Sequence, residues 1–496
     1  MLDVLIRKCG LSIDIGLRDG TAFPPAVLDA ICGVLVYDYR EFLRGHERYR
    51  PDGTVQNIRI ETRRLYEIFQ NRIVTGFGMT PAVVGVLQSF GYSIDFEDLD
   101  TYRERTRCYE VEQTCFDSYT WRPGQRECFN AIFNAPGGII SAPPAFGKSE
   151  IIARMVMAYP HAKFAISTRR KEVAKTIYNR MLAYTSDVGF VGDSKNYKKR
   201  ATVYIAKSLH KADPDVDFFV GDEIHELAAD TFSETIIRTF DKARFFGFSA
   251  SWDGRADGTS ARLQYMFGPT IFNMSWQEAT KLGLIVPIEV QWLNISMNRN
   301  PCQKYTQDIA RKRHGLWRNA VRNEAIANAV REYSADDQVL ILVETIEHAI
   351  MLKQYLPEFE LCYGEMELHD LVTYKVNGLL PDDYEAITGE DRERLRTAFE
   401  QKHIKKVIAT DVWSTGVSFE QLAVLVRADG RSSEILDDQA PGRVARTHLA
   451  SGKEKGVVID CYDMFDTSFK RKSDERMRRY RSKGWTQFRP KVSGST

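Results

Sequence analysis

Two kinds of apolar patterning divide the chain. Near its start, Val4-Leu5-Ile6-Arg7 and Leu11-Ser12-Ile13-Asp14-Ile15 alternate apolar and polar positions on either side of Lys8-Cys9-Gly10. That is the period of two half-buried strands joined by a turn. Pro24-Pro25 then opens a helical spacing at Val27, Leu28, Ile31 and Val34, because proline is tolerated in a first turn whose N–H groups have no partner anyway. The turn signal Pro51-Asp52-Gly53 precedes an alternating run, Asn57-Ile58-Arg59-Ile60-Glu61, and Thr75-Gly76-Phe77-Gly78 precedes a helix predicted from Thr80 to Phe90. From residue 138 the strands change character. Gly138 to Ile140, Phe164 to Ile166, Val216 to Val220, Val339 to Val343 and Val407 to Ala409 are short uninterrupted apolar runs with helical spacings between them. Such runs belong to parallel strands covered on both faces.

This pattern predicts a small α+β accessory domain followed by two tandem doubly wound α/β domains. Residues 96–118, with Glu97, Asp98, Asp100, Arg103, Glu104 and Arg105, are charged and poor in core residues and read as a linker. The expected division is an accessory domain over 1–95, the linker, a first α/β domain over 119–287 and a second over 288–496.

A length of 496 residues is too much for one core. With 43% apolar and 27% charged residues the composition is that of an ordinary globular protein, and no apolar run reaches the roughly 18 residues of a membrane span. The first residues lack the order of charge and apolar core of a signal peptide. The eight cysteines show no CxxC spacing, which points to reduced thiols in a cytoplasm and away from a zinc site. Net charge is +1, so nucleic-acid binding would rest on local basic surfaces.

The chemistry begins at Ala142-Pro143-Pro144-Ala145-Phe146-Gly147-Lys148-Ser149, between an apolar strand and the helical spacing Ile151, Ile152, Met155, Val156. Strand, small-residue loop and helix N-terminus form a cradle of N–H groups for a polyphosphate, with Lys148 at its terminal phosphates and the Ser149 hydroxyl on Mg²⁺. Downstream, the buried-strand run ending at Gly221 delivers Asp222-Glu223-Ile224-His225. A carboxylate pair at the C-terminal end of a parallel strand beside such a loop has a job: Asp222 takes the same Mg²⁺ and Glu223 polarises the attacking water. ATP and Mg²⁺ are the expected cofactors.

Ala142–Ser149 followed by Asp222-Glu223-Ile224-His225 resembles motifs I and II of superfamily 2 helicases of the DExH kind, whose two α/β domains are RecA-like. The remaining motifs follow in order over roughly 119–485. The resemblance implies adenine contacts by Arg122 and Gln125, with Trp121 in place of the usual aromatic at Gly124. It implies contacts to the DNA backbone by Thr168 and Arg169, by Lys207 and Ser208, and by Thr345 and Thr410 in the second domain. Phe245-Phe246-Gly247-Phe248-Ser249-Ala250-Ser251 is similar to motif III, so Ser249 and Ser251, with His225 and with Gly416 of the motif V run Val407–Ser418, would couple the nucleotide to the DNA. Arg255 and Asp257-Gly258 fit an R-x-D-G element of UvsW-like and XPB-like motors. Gln439-Ala440-Pro441-Gly442-Arg443-Val444-Ala445-Arg446 is similar to motif VI; arginines three apart on one helix face would both reach a γ-phosphate across a cleft, with Gln439 beside them.

Basic residues at three strand ends, including Lys195, Lys198, Lys199 and Arg200, suggest a phosphate track. Residues 365–386 interrupt the family pattern, either as a surface excursion or as a strand-separating wedge. Lys470 to Lys491 holds ten Lys/Arg with Tyr480, Trp485 and Phe488 interleaved. As a helix it is either a DNA-contacting stripe or a terminal helix docked on the second domain. The order of the first 95 residues is similar to the N-terminal domain of UvsW-type phage recombination helicases. That similarity implies a DNA-binding accessory domain over 1–95 and an ATP-driven DNA helicase or translocase for branched DNA; the alternatives are an RNA helicase, a restriction-system motor, or a catalytically idle DNA-binding scaffold.

Overall fold

The computed structural model describes residues 3–42, 48–49, 55–56, 58–100, 120–253, 257–413, 419–432, 434–447 and 452–488. Arg255, Gly416 and most of the expected linker lie outside the described residues. The chain divides into two compact units, Met1–Ala142 with Phe146–Met274, and Pro143–Ala145 with Ser275–Thr496.

The first unit begins with strands β1 (Asp3–Cys9), β2 (Ser12–Leu17), β3 (Val36–Phe42), β4 (Arg48–Tyr49), β5 (Val55–Gln56), β6 (Ile58–Arg64), β7 (Tyr66–Phe69), β8 (Arg72–Gly76) and β9 (Ser93–Asp98). Five of them make one sheet in the order β7-β8-β2-β1-β9. The alternation in the sequence sets its faces: Val4, Ile6, Ile13 and Ile15 are buried, under helices Pro25–Val34 and Thr80–Ser89 that contribute Val27, Ile31, Val83 and Leu87. β9 runs into the stretch expected to be linker. Its acidic residues are those of an edge strand paired in parallel with β1, where Glu97 meets Arg7 and Asp98 meets Lys8. β3 and β6 form a separate antiparallel ribbon.

The same unit continues with β10 (Gly138–Ser141), β11 (Phe164–Thr168), β12 (Val188–Gly192), β13 (Lys195–Tyr197), β14 (Ala201–Ile205), β15 (Phe218–Asp222), β16 (Arg244–Ser249) and β17 (Thr270–Asn273). They form one sheet in the order β13-β12-β14-β11-β15-β16-β10-β17. All neighbours are parallel except β13, which turns back on β12. Apolar side chains of the N-terminal sheet and of this sheet belong to one continuous core. Leu11 N–H donates to the carbonyl of Asp241 at 2.8 Å, and Phe77 packs beside Gly268. Gly78 is required at this seam, since a Cβ there would stand 1.7 Å from the Gln264 carbonyl oxygen.

The second unit holds β18 (Ile288–Ile295), β19 (Val339–Leu342), β20 (Glu360–Cys362), β21 (Lys406–Ala409), β22 (Val424–Arg427), β23 (Gly456–Asp463) and β24 (Thr486–Phe488). Their order is β20-β21-β19-β22-β23-β18-β24, parallel throughout. The architecture is therefore two RecA-like α/β sheets preceded by a small α+β sheet region.

Of its two readings the tail takes the docked helix, and one residue of the expected phosphate track is corrected. In the tail, helix Thr467–Ser482 buries Phe469, Met477 and Tyr480, and Tyr480 and Trp485 lie 5.1 Å apart between ring centres within the core. These rings fill the second unit and are unavailable for base stacking. Arg200 is no phosphate contact either: its guanidinium donates to the carbonyls of Tyr159 and Ala162 at 2.9 and 3.0 Å and to Asp187. It satisfies carbonyls left over at the end of helix Lys148–Ala158. Residues 365–386 contain helix Leu368–Val376, which lays Leu371 and Tyr374 on the core while Leu368, Val372 and Val376 face out.

Candidate active site

Register alone gathers the first unit's chemistry. In a parallel sheet every strand ends at the same edge, and here Ser141 stands opposite Ser249, Asp222 opposite Phe248, and Ser167 opposite Gly221. The phosphate loop follows β10, Asp222 ends β15, Ser249 ends β16, and Thr168 ends β11. Ligands of open α/β sheets bind at this carboxyl edge.

The loop turns through two left-handed residues, Ala145 at φ 70° and Gly147 at φ 93°, before helix Lys148–Ala158 begins. Its start is pinned by Ala142 N–H donating to the Ser249 carbonyl at 3.1 Å. Lys148 Nζ donates back to the Ala142 carbonyl at 3.2 Å. Ser149 lies in the first turn of the helix. Gln125 is buried and spans two segments: its Nε2 donates to the Phe146 carbonyl at 2.8 Å, and its Oε1 accepts from Arg122 N–H at 3.1 Å. Arg122 is itself exposed. An aromatic side chain is disfavoured at position 124, where the backbone is left-handed at φ 79°. Trp121 packs against Phe129 at 5.7 Å between ring centres.

Asp222 is buried and its Oδ1 has no hydrogen-bond partner. Burial pushes its carboxyl up to about 7, the charge of Glu223 adds to the rise, and Lys148 opposes it. Glu223 follows in a left-handed conformation, φ 51°, and starts the one-turn 3-10 helix Ile224–Glu226. His225 is buried with Nδ1 at 2.9 Å from Ser249 Oγ and 3.4 Å from Glu223 Oε2. Ser249 Oγ donates its single hydrogen to the Ser251 carbonyl at 2.9 Å and accepts from Ser251 N–H at 3.2 Å. His225 Nδ1 is therefore the donor to Ser249. The residues singled out as coupling groups, His225, Ser249 and Ser251, form one hydrogen-bonded chain, and its His225 end faces Glu223 Oε2, which has no hydrogen-bond partner of its own.

The donor set fits a magnesium nucleotide. A buried carboxylate oxygen without a partner suits a cation, and a lysine at a helix N-terminus suits an anion. Ser149 and Asp222 would hold Mg²⁺. Among the described residues no cluster of three or more His, Cys, Asp or Glu could hold another metal, and no helix is long and apolar enough to cross a membrane.

Of the residues expected to touch nucleic acid, Arg169 and Lys207 are exposed and Ser208 is half-buried. Thr168 is buried, and its hydroxyl, like that of Ser167, has no partner. In the second unit Thr345 caps helix Ile346–Lys353, accepting from His348 N–H at 3.2 Å, and Thr410 is buried.

The motif VI expectation of one helix face is corrected. The helix ends at Gln439, Pro441–Arg443 is a 3-10 turn, and Arg446 pairs in a β-bridge with Ile285. Pro441 has no N–H to continue a helical ladder. Arg443 is buried, and burial lowers the Arg446 guanidinium pKa from its ordinary value.

Beside this segment lies a buried ionic network absent from the sequence expectations. Arg427 donates to Asp429 and, at 3.0 Å, to Asp437, two residues before Gln439. Arg431 joins Asp429 to Asp411, which opens the motif V turn. Arg476 grips Asp460 through Nε and Nη2, and Arg479 reaches Asp437 at 2.7 Å. The one signal in the sequence was an arginine ending an apolar strand, Val424-Leu425-Val426-Arg427.

Residues 118–253 match the family described as type III restriction enzyme, res subunit, and residues 321–448 match the helicase conserved C-terminal domain. No curated protein matches the chain by sequence. Among solved structures, a fragment assigned as an HsdR subunit of a type I restriction enzyme from Vibrio vulnificus YJ016 is 13% identical, covers 92% of each chain and has a TM-score of 0.52. S. cerevisiae Dbp5 bound to RNA and ADP BeF3 is 14% identical over 76% of this chain and 92% of that one, at a TM-score of 0.51. T4 UvsW is 16% identical over 98% of this chain and 99% of that one, at 0.42. With both family regions in order on two RecA-like sheets, the chain is a helicase of superfamily 2.

Proposed function

We propose that the chain is an ATP-dependent DNA helicase of the DExH kind that unwinds or branch-migrates forks, D-loops and Holliday junctions in phage recombination, repair or replication. One observation carries the motor part. Asp222, buried with an unsatisfied oxygen and under the charge of Lys148, is followed by Glu223, whose Oε2 lies 3.4 Å from His225 Nδ1, and His225 is hydrogen-bonded to Ser249. An idle scaffold has no physical need of that arrangement.

Lys148 orients the terminal phosphates, while Ser149 and Asp222 would hold Mg²⁺, which would draw charge from the phosphoryl oxygens. Glu223 orients the attacking water and takes its proton. His225 holds the turn that presents Glu223 and passes its position on to Ser249 and Ser251. The DNA part is supported by exposed Arg169 and Lys207 at the same sheet edge, and by the sequence resemblance of the first 95 residues and of Asp257-Gly258 to UvsW-like motors.

The experiment is steady-state ATPase with single-stranded DNA, duplex DNA, a synthetic four-way junction and structured RNA at fixed salt, because phosphate-driven affinity falls steeply with salt. Stimulation strongest with the junction is the expected result. Stimulation by RNA alone would overturn the substrate and leave the motor. A second reading, the motor subunit of a restriction system, is favoured by the res-subunit match and would be marked by a co-purifying nuclease.

A further inference from the structure

The ion pair between Arg170 and Glu226 plays no part in hydrolysis as described, yet it joins two ends of the machinery. β11 and β15 are adjacent, so the segments leaving their C-terminal ends run side by side. Arg170, next to exposed Arg169, places both Nε and Nη2 at 2.7 Å from a single oxygen, Glu226 Oε1. Glu226 closes the turn that begins after Glu223, and its N–H donates to the Glu223 carbonyl at 2.9 Å.

The pair is lopsided. The Glu226 side chain is only 9% exposed and its Oε2 has no partner, whereas the Arg170 side chain is 37% exposed. A buried carboxylate oxygen left unpaired is costly, and a guanidinium carries five N–H donors in a fixed fork, more than this one contact uses. Arg170 is therefore anchored on the catalytic turn on one side and open to an anion on the other. Two more unpartnered buried hydroxyls, Ser167 Oγ and Thr168 Oγ1, end the same strand.

We propose that Arg170 and Glu226 are positioning residues through which a nucleic-acid phosphate at the end of β11 acts on the turn carrying Glu223 and His225. A phosphate that engages the Arg170 fork draws it from its single-oxygen contact, Glu226 follows, and Glu223 is reset on the same turn. The inference rests on the nucleic-acid-driven motor reading above and names the route by which stimulation reaches the carboxylate.

The test uses the full chain and Glu226→Gln, which keeps shape and volume and removes the charge. ATPase is measured without nucleic acid and with a four-way DNA junction titrated to saturation. The unstimulated rate should stay within about twofold, the stimulated kcat should fall about tenfold, and the junction concentration for half-maximal stimulation should hold, the size of a typical coupling between sites. Arg170→Ala with Glu226→Ala should lose no more stimulation than either alone, since one link is cut only once. Full stimulation of Glu226→Gln overturns the link and leaves the motor reading standing. An equal fall in both rates also overturns it, because that is local damage and not coupling. A wild-type chain that no nucleic acid stimulates overturns the motor reading and the link together.

Discussion

Asp222 shows how one burial sets both chemistry and stability. Its carboxyl titrates near 7 in the fold instead of 3.8. Between those values the folded chain holds a proton that the unfolded chain has released, so stability falls as pH rises from about 4 through about 7. Asp222→Asn removes that loss. It should stabilise the nucleotide-free protein by roughly 1–3 kcal/mol at pH 8, with the gain fading toward pH 4, and denaturant melts of both proteins across that range check it. The same substitution should abolish ATPase, because the Mg²⁺ ligand is lost. Lys148→Ala separates the two effects differently. Its ammonium bonds only a loop carbonyl here, so stability should change by less than about 1 kcal/mol and DNA binding should survive while ATPase is lost. Lys148, Ser149, Asp222 and Glu223 were legible in the sequence because each lies in a short run whose spacing has a chemical meaning. Arg170 and Glu226 were not, since nothing local marks two charges 56 positions apart as partners.

Strands and helices were legible where a period repeats and illegible where a single residue breaks it. The apolar runs gave the parallel strands, yet motif VI, read as one helix, is a helix, a 3-10 turn and a bridge because Pro441 interrupts the ladder. The terminal helix kept two readings open for another reason: a count of positive charges says nothing of which are inside. Arg476 is 1% exposed and paired with Asp460, which is 0% exposed, while Arg478 on the same helix faces solvent. Arg476→Ala leaves the buried Asp460 carboxylate without its ion-pair partner and with the Tyr480 hydroxyl at 2.9 Å, and should cost about 3–5 kcal/mol. Arg478→Ala should stay within about 0.5 kcal/mol. Urea unfolding of the two variants reads the difference. Equal effects would mean that Asp460 finds water or another donor.

In the first unit, the N-terminal sheet is part of the motor's core and not an appendage to it. The alternation of β1 and β2 announced a sheet, but the seam is made by backbone contacts that no side-chain pattern records: Leu11 N–H to the Asp241 carbonyl, Arg40 N–H to the Asp257 carbonyl, and Gly78 against Gln264. Side chains reinforce it, with Arg63 Nη1 donating to both carboxylate oxygens of Asp230 at 2.9 and 2.8 Å and the guanidinium stacked 3.8 Å over the Tyr39 ring. Asp257-Gly258 thus has a mechanical meaning as the place where the β3–β6 ribbon reaches the segment leaving Ser251. A chain beginning at residue 120 would bare Phe245, Leu263, Met266 and Phe267, which the N-terminal sheet and its helices help to bury. Such a chain should lose its cooperative melt and associate, visible in calorimetry and light scattering, with ATPase lost as a consequence. Arg63→Ala should act on the seam alone, at about 1–2 kcal/mol for the lost charge-assisted bonds, with the unstimulated ATPase rate retained. A truncated chain that stays monomeric and melts with the full-length midpoint would make the sheet a detachable module, and the ribbon's contact with Asp257 would then carry no mechanical weight.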